Sequence, residues 1–526
     1  MICFFDFLGY VYNYINKGEM GIKHFYSWFR KHENLKNSIS SSISDDVDHL
    51  LIDMNGVIHE AAQRVFKYGK YAPRKPEIII PRRRHRTQTK TVNKVSNKVS
   101  NKVSNKVSNK VSKPSISDLD ACIKSEVNRM VGIACPQKTV YLAIDGVAPM
   151  SKQNQQRQRR FRAAKEREGK EDDDVFDSTC ITAGTEFMWD LSQYLVKNEW
   201  LISKNPVKLI ISDDSKPGEG EHKLMEWIRD NDDDEGTYCV VGMDADLILL
   251  CCVLQKTHIY IMREDERRSY DFININRVRQ DLPVRADDLL IWSCFIGNDF
   301  LPPIPSLEIK ESEPETGALE FFFQNYNRPL VDTESGYLKV NEITRLLRIL
   351  RDREQDIMEA RHKDEDRFPN PLWDGDINKY RVDYRKHKLE RFCKGFCEYR
   401  NIYDFMKTVQ WVYLYYTKGI NATKAWNWFY PYHYALHANS FVKQLKENPF
   451  ISYGFKKTKP SHSYEQLLRV IPSSSRYLIP SNLHEYADRL TERYNTFEID
   501  KSGKRQEWEA VTIVDFVTLD EKIPRI

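Results

Sequence analysis

Short apolar runs separated by long polar or helix-forming stretches set the rhythm of this 526-residue chain. Leu50–Ile52, Val140–Ile144, Val207–Ile211 and Tyr238–Val241 are short and largely continuous in their apolar character, so they read as buried parallel strands. Ser151–Arg167 is rich in good helix formers, and Leu224, Met225 and Ile228 supply the buried face of a helix that begins near Glu219. Asp287–Ile296 and Val340–His362 are helical in pattern as well. The predicted class is α/β: a mostly parallel central sheet flanked by helices, with a mainly helical second region packed against it. Aromatic residues crowd Tyr399–Tyr434; most read as core, with a few left as stacking surfaces for bases.

Composition adds boundaries to that pattern. Residues 1–19 are apolar but interrupted by Asp6, without the basic start or small-residue cleavage site of a signal peptide, and read as an appended segment. Asn-Lys-Val-Ser occurs five times in succession from Asn93 to Ser112, with no apolar period that buries a face, so a disordered basic insert is expected over about 70–115. Acidic and proline-bearing stretches between Ser312 and Asn378 mark a second boundary. The expected division is a core over 20–330, a helical linker region over 331–395 and a closing region over 396–526.

Charge changes the picture locally. Lys70–Lys113 carries 14 Lys and Arg against the single acid Glu77, while the whole chain is only +4, so the remainder is acidic overall. Attraction for a polyanion must therefore come from local patches. No apolar run approaches the roughly 20 residues that span a bilayer, and Cys393 and Cys397 have no second pair or histidine couple to complete a zinc site. A soluble intracellular monomer with reduced thiols is expected, cytoplasmic rather than nuclear.

The chemistry lies where the apolar runs stop. Asp53 and Asp145 end the first two, Glu219 and Glu221 follow the third, Asp244 and Asp246 follow the fourth, and Asp299 sits in the turn Gly297–Pro302. Open α/β sheets form their sites outside the carboxyl ends of the strands, so these acids are expected to converge. Helix capping explains one such pair; two pairs with three single acids ask for divalent cations, and oxygen ligands favour Mg²⁺ or Mn²⁺. A pair of ions about 4 Å apart suits phosphodiester hydrolysis. On the helix after Asp145, Lys152, Gln156, Arg159 and Arg160 fall at i, i+4, i+7 and i+8 and share one face, a phosphate pocket in prospect or simply a basic helix. His59 lies six residues beyond Asp53 and stays near the site. No GxxxxGK[ST] loop occurs, which argues against nucleotide-triphosphate hydrolysis.

At these residues the chain resembles the Xrn family of 5′-to-3′ exoribonucleases, from Met20 onward. Met20–Tyr26, Asp53–Gly56, Ala143–Pro149, Asn154–Lys165, Pro217–Lys223, Met243–Ile248, Gly297–Pro302 and Ser306–Ile309 carry the likeness, continued by Gln410–Trp411, Trp426–Tyr434 and Phe497–Val511. The resemblance implies a flap-nuclease-like (PIN-type) core and a second region that closes the site around single-stranded RNA. It implies that the acids hold two Mg²⁺ ions, and that Lys152, Gln156, Arg159 and Arg160 grip a 5′ monophosphate. It further implies that His59 and a tryptophan, Trp426 or Trp428, sandwich the first base, and that 5′ mononucleotides leave processively. Ser215 stands where relatives often carry another acid, the Asn-Lys-Val-Ser insert has no recognised counterpart, and the chain stops after the second shared region, as in a compact member. A structure-specific 5′ flap DNA nuclease is the alternative.

Overall fold

The computed structural model describes residues 21–71, 115–168, 176–197, 200–256, 258–265, 268–310, 317–393, 395–448, 453–494 and 496–517. The appended segment and nearly all of the basic insert fall outside them. Seven strands form the main sheet: β1 (Ile39–Ser40), β2 (His49–Asp53), β3 (Thr139–Ala143), β4 (Lys208–Ser212), β5 (Tyr238–Val241), β6 (Ile259–Glu264) and β7 (Tyr270–Asn274), in the order β1-β7-β6-β5-β2-β3-β4. The run from β6 to β4 is parallel; β7 and β1 add an antiparallel margin. All four predicted strands are present. The third is less buried than expected, because β4 is the edge strand and only its final residue is fully covered.

Both faces of the sheet are covered, as continuous apolar runs require. Successive side chains point to opposite faces, so Leu51, Tyr141 and Val240 join one buried cluster while Leu50, Ile52, Val140, Leu142, Cys239 and Val241 join the other. Helix α1 (Met54–Phe66) packs on the second face; α3 (Gly220–Asp230) and α4 (Ala286–Ile296) pack on the first, and α2 (Met150–Arg167) follows β3. The first cluster continues without a break into α5 (Val340–His362) and α6 (Glu398–Lys418), where Phe405, Val409, Trp411, Tyr415 and Tyr416 are buried. A small antiparallel hairpin, β8 (Phe497–Asp500) with β9 (Val511–Val514), lies against α2.

Topology decides where a site forms. From β2 the chain steps outward to β3 and β4, then returns to the far side of β2 as β5. Such a reversal opens a crevice beyond the strand ends. Asp53 pairs in register with Ala143, and Ile52 with Val241, so three carboxyl ends come level at that point. No helix among the described residues is long and apolar enough to cross a membrane.

Candidate active site

All seven carboxylates converge on the crevice. Asp53 is the last residue of β2 and caps α1, accepting from the Asn55 backbone N–H at 3.2 Å. Asp145 lies just past β3, Asp244 and Asp246 just past β5, and Glu219 and Glu221 sit at the start of α3. Asp299 arrives from the turn after α4, where the Asn298 side chain accepts from the backbone of Phe300 and Leu301, each at 3.0 Å. Glu221, Asp244 and Asp246 present oxygens within 4.8 Å of one another. Two glycines make the approach close. A Cβ on Gly220 would stand 2.5 Å from Asp53 Oδ1, and one on Gly21 would stand 2.7 Å from the Asp246 carboxyl carbon.

Little positive charge balances these acids. Lys152 is buried among them, its ammonium 2.7 Å from Glu219 Oε2 and 2.8 Å from Asp299 Oδ2. Burial favours the neutral form of both partners, yet the attraction of Lys152 holds Asp299 below the usual carboxylate range. Surrounding carboxylates likewise outweigh burial at Lys152 and raise its pKa well above the lysine value. Five of the acids move the opposite way. Burial, then Asp145 and Asp244, raise Asp53 strongly; burial, then Asp246, raise Glu221 strongly; and burial with Asp246 pushes Asp244 up to about 7. Glu219 and Asp246 are also raised, chiefly by burial.

The second region supplies two hydrogen bonds from α6. Tyr415 Oη donates to Glu219 Oε1 and Tyr416 Oη to Asp246 Oδ2, each at 2.9 Å. His222 stacks on Tyr415 with ring centres 3.7 Å apart. The other Asp246 oxygen is buried without a hydrogen-bond partner. Crowded, hard oxygen donors with one unsatisfied atom fit a divalent cation that prefers oxygen.

The basic stripe divides in two. Gln156 and Arg160 line a small recess with Asn55, Asp145, Ile181, Thr182 and Gln466. Gln156 Oε1 and Arg160 Nη1 are buried there without hydrogen-bond partners. Burial, then repulsion from Arg159, lowers Arg160 to about 9. Lys152 departs from the expected grouping, since its ammonium is engaged by the carboxylates. Arg159 and His59 open onto a large cavity of about 2090 Å³ that also reaches Asp53, Asp244 and Asp299, and Arg160 and Asn55 line this cavity as well as the recess. Burial, followed by Arg159 and Arg160, lowers His59 to about 3, so its imidazole is neutral.

The two candidate tryptophans also part company. The Trp426 carbonyl accepts from the Met150 backbone N–H at 2.7 Å, at the start of α2. Trp428 is committed elsewhere: its indole donates to Thr408 Oγ1 at 3.1 Å, and Lys407 Nζ sits 4.2 Å from its ring centre. Neither ring lines the large cavity; Phe429, His433 and Trp508 do.

With this geometry in place, the comparisons decide the family. The model of the XRN 5′-3′ exonuclease N-terminus matches residues 20–101 and 91–265, and that of the Xrn1 helical domain matches 280–379 and 372–523. The chain belongs to the Xrn family. Human 5′-3′ exoribonuclease 1 is 26% identical, over 96% of this chain and 34% of that protein. The Drosophila melanogaster 5′-3′ exoribonuclease 2 homolog is 28% identical over 75% of this chain and 61% of its own length, and Arabidopsis thaliana 5′-3′ exoribonuclease 2 is 27% identical over 77% and 59%. The chain therefore spans between a third and three fifths of these Xrn relatives. The catalytic core of Rad2 in complex with DNA substrate aligns over 89% of this chain and 98% of that one, at 12% identity and a TM-score of 0.36, below the level that marks a shared fold.

Several residues in this Xrn site carry no advance signal. Asn55 lies in the Asp53–Gly56 motif but its partner is not legible there: its side chain donates to Asp145 Oδ2 at 2.6 Å and accepts from the Asp145 backbone N–H at 3.0 Å, tying the ends of β2 and β3 together. Tyr415 and Tyr416 read as core aromatics, and the only cue is a hydroxyl on a ring with no outlet to water. Gly21 sits in the Met20–Tyr26 motif, but its backbone donation to Asp299 Oδ1, at 3.0 Å, spans 278 residues.

Proposed function

We propose that this chain is a 5′-to-3′ exoribonuclease that hydrolyses single-stranded RNA bearing a 5′ monophosphate, releasing 5′ mononucleotides processively. The observation that carries the reading is a shared wall. Asn55 and Asp145 line the recess that holds the unpartnered Arg160 nitrogen, and Asp145 is also one of the clustered acids. A buried guanidinium nitrogen with nothing to donate to is costly unless an anion arrives. Here it lies one side chain away from carboxylates suited to phosphodiester chemistry.

In this reading Gln156, Arg159 and Arg160 receive the terminal phosphate. Lys152, one helical turn from Gln156, serves whichever anion stands between recess and acids. Ile181 and Thr182 line the same recess, and a pocket of this kind would reject triphosphates and caps by size. A neutral imidazole at His59 suits stacking on the first base, with Trp426 or Trp428 as its partner in the sandwich. Asp53, Glu219, Glu221, Asp244, Asp246 and Asp299 would hold two Mg²⁺ ions, for which Mn²⁺ substitutes, with Asp145 supporting them through Asn55 and the Gly220 N–H (2.6 Å). When bound, such ions polarise the phosphoryl oxygens and stabilise the departing 3′ oxygen. Tyr415 and Tyr416 orient Glu219 and Asp246 for that task. The nuclease core is assigned to 20–330, a helical linker to 331–395 and the region closing the site to 396–526.

The deciding experiment offers matched RNA and DNA strands bearing 5′ monophosphate, hydroxyl or triphosphate, six substrates in all, beside a branched DNA with a 5′ flap, in Mg²⁺, with product sizing. Mononucleotides from the monophosphate RNA alone are expected. Equal digestion of all six substrates overturns both sugar and end selection, and cleavage confined to branched DNA installs a flap nuclease instead.

A further inference from the structure

The large cavity has a wall that neither the acids nor the recess uses. Residues 501–510, which join β8 to β9, fold over the segment that begins at Gly21. Lys23 Nζ donates to Glu509 O at 3.2 Å, and His24 Nε2 lies 3.0 Å from Glu509 Oε1. From α2, Arg162 donates to the carbonyls of Trp508 and Ala510, each at 3.3 Å. These contacts anchor the backbone around Trp508, whose half-buried ring lines the cavity. Among the described residues its ring meets His24, 5.0 Å away and tilted by 50°, and the Lys23 ammonium, 5.8 Å from the ring centre, and no aromatic ring stacks flat on it.

Lys504 lies on the same connection and lines the same cavity. Its ammonium makes no hydrogen bond or ion pair among the described residues. The nearby acids are already engaged, Glu509 by His24 and Glu308 by Arg367 at 2.5 Å. Burial lowers the Lys504 pKa despite the attraction of those two acids. A cation without a partner, beside an aromatic ring on a cavity wall, is the combination by which single-stranded nucleic acid is held without regard to sequence.

The wall also has a direction. Gly21 N–H rests on Asp299 Oδ1, and Lys23, two residues on, reaches the Trp508 connection. A strand leaving the carboxylates along it meets Lys23 first, then Trp508 and Lys504. We propose that this wall is a second nucleotide-binding subsite: Trp508 stacks a base of the strand downstream of the cut, and Lys504 pairs with a neighbouring backbone phosphate. That the strand is RNA rests on the exoribonuclease reading above. The competing account is a hairpin that merely covers the segment leading into the helix Phe25–Lys31.

The test measures binding in an Asp244→Asn background, with 5′-monophosphate RNA as a dinucleotide and as a twelve-residue strand. Trp508→Ala is expected to weaken the long strand about tenfold and leave the dinucleotide unchanged, with Trp508→Phe recovering most of the loss. Lys504→Ala is expected to flatten the slope of log K against log salt by about 0.7, one phosphate contact on a single strand. Equal weakening of both lengths, or no change in either, overturns the subsite. If Trp508→Ala does not fold, the Lys504→Ala slope decides alone, and an unchanged slope overturns it. Wild-type digestion is followed in parallel: selective loss of the long strand beside an inactive wild type removes the exoribonuclease reading and keeps the subsite.

Discussion

Tyr416 Oη donates to Asp246 Oδ2 at 2.9 Å, and by that bond a helix 170 residues downstream fixes one of the acids at the end of β5. Tyr416→Phe keeps the packing and removes the donor. Groups that orient metal ligands typically change metal affinity or activity 10- to 100-fold, so the Mg²⁺ concentration at half-maximal rate is expected to rise by about that factor. A Mg²⁺ titration of initial rate checks it, with Tyr413→Phe, whose hydroxyl donates to Asp287 at 2.8 Å, as the control that leaves the requirement unchanged.

Removing divalent cations exposes the repulsion among the acids. Asp244 rises from 3.8 to about 7 in the folded protein, through burial and then Asp246. Between those values the native state holds a proton that the unfolded chain has lost, so stability falls as pH rises across the window. Glu308 and Glu354 are lowered to about 2, since arginine and histidine partners outweigh burial, and their opposite contribution is complete above about pH 5. Histidines held neutral by burial, such as His59 and His433, add stability as pH rises toward 6.5 in wild type and variant alike. The melting midpoint of chelated wild type is therefore expected to fall from pH 5 to 7 relative to that of Asp244→Asn. A midpoint that climbs equally in both proteins contradicts the assignment.

Arg160 gives function and stability opposite signs. Its guanidinium is buried with one nitrogen unpartnered and its pKa lowered to about 9 by burial and then Arg159. Arg160→Met removes a charge for which burial and Arg159 outweigh the attraction of Asp145 and Asp177. It is expected to melt no lower than wild type, and to lose its preference for a 5′ phosphate over a 5′ hydroxyl by about 100-fold. Thermal melts beside kcat/KM on the two RNA ends read both effects.

Gly220 admits no side chain. The Cβ of alanine would meet Asp53 Oδ1 at 2.5 Å and the Ala143 carbonyl at 3.1 Å, and the backbone carbonyl cannot swing away. Gly220→Ala is expected to cost about 1–3 kcal/mol in denaturant unfolding, the usual range for overpacking. It should also reduce cleavage at least 100-fold by displacing Asp53, whereas Gly56→Ala, with nothing within 4 Å of its Cβ, should do neither.

The parts of this site that could be read in advance share one property: they repeat a local pattern. Asp53, Asp145, Asp244 and Asp246 stand at strand ends, and strand ends are visible as the places where apolar runs stop. The stripe from Lys152 to Arg160 was legible because helical periodicity puts those residues on one face. That periodicity cannot say how far a flexible ammonium reaches, and Lys152 turns to Glu219 and Asp299. The Asn55–Asp145 tie, the tyrosine hydroxyls of α6 and the Gly21–Asp299 bond join positions 90 to 278 residues apart, and no local period encodes such pairs. The edge position of β4 was hidden for a related reason. An apolar run records that a strand is covered, not which neighbours cover it.

The reciprocal bonds between Asn55 and Asp145 make adjacent strand ends, about 4.8 Å apart in any sheet, the partition between the recess that holds Arg160 and the acids. Such a partition is rigid where a loop would give. Under the proposed function, a strand held at Arg160 would reach the acids across this partition, and the hydrogen-bond register of the sheet would then set how far from its end it is cut.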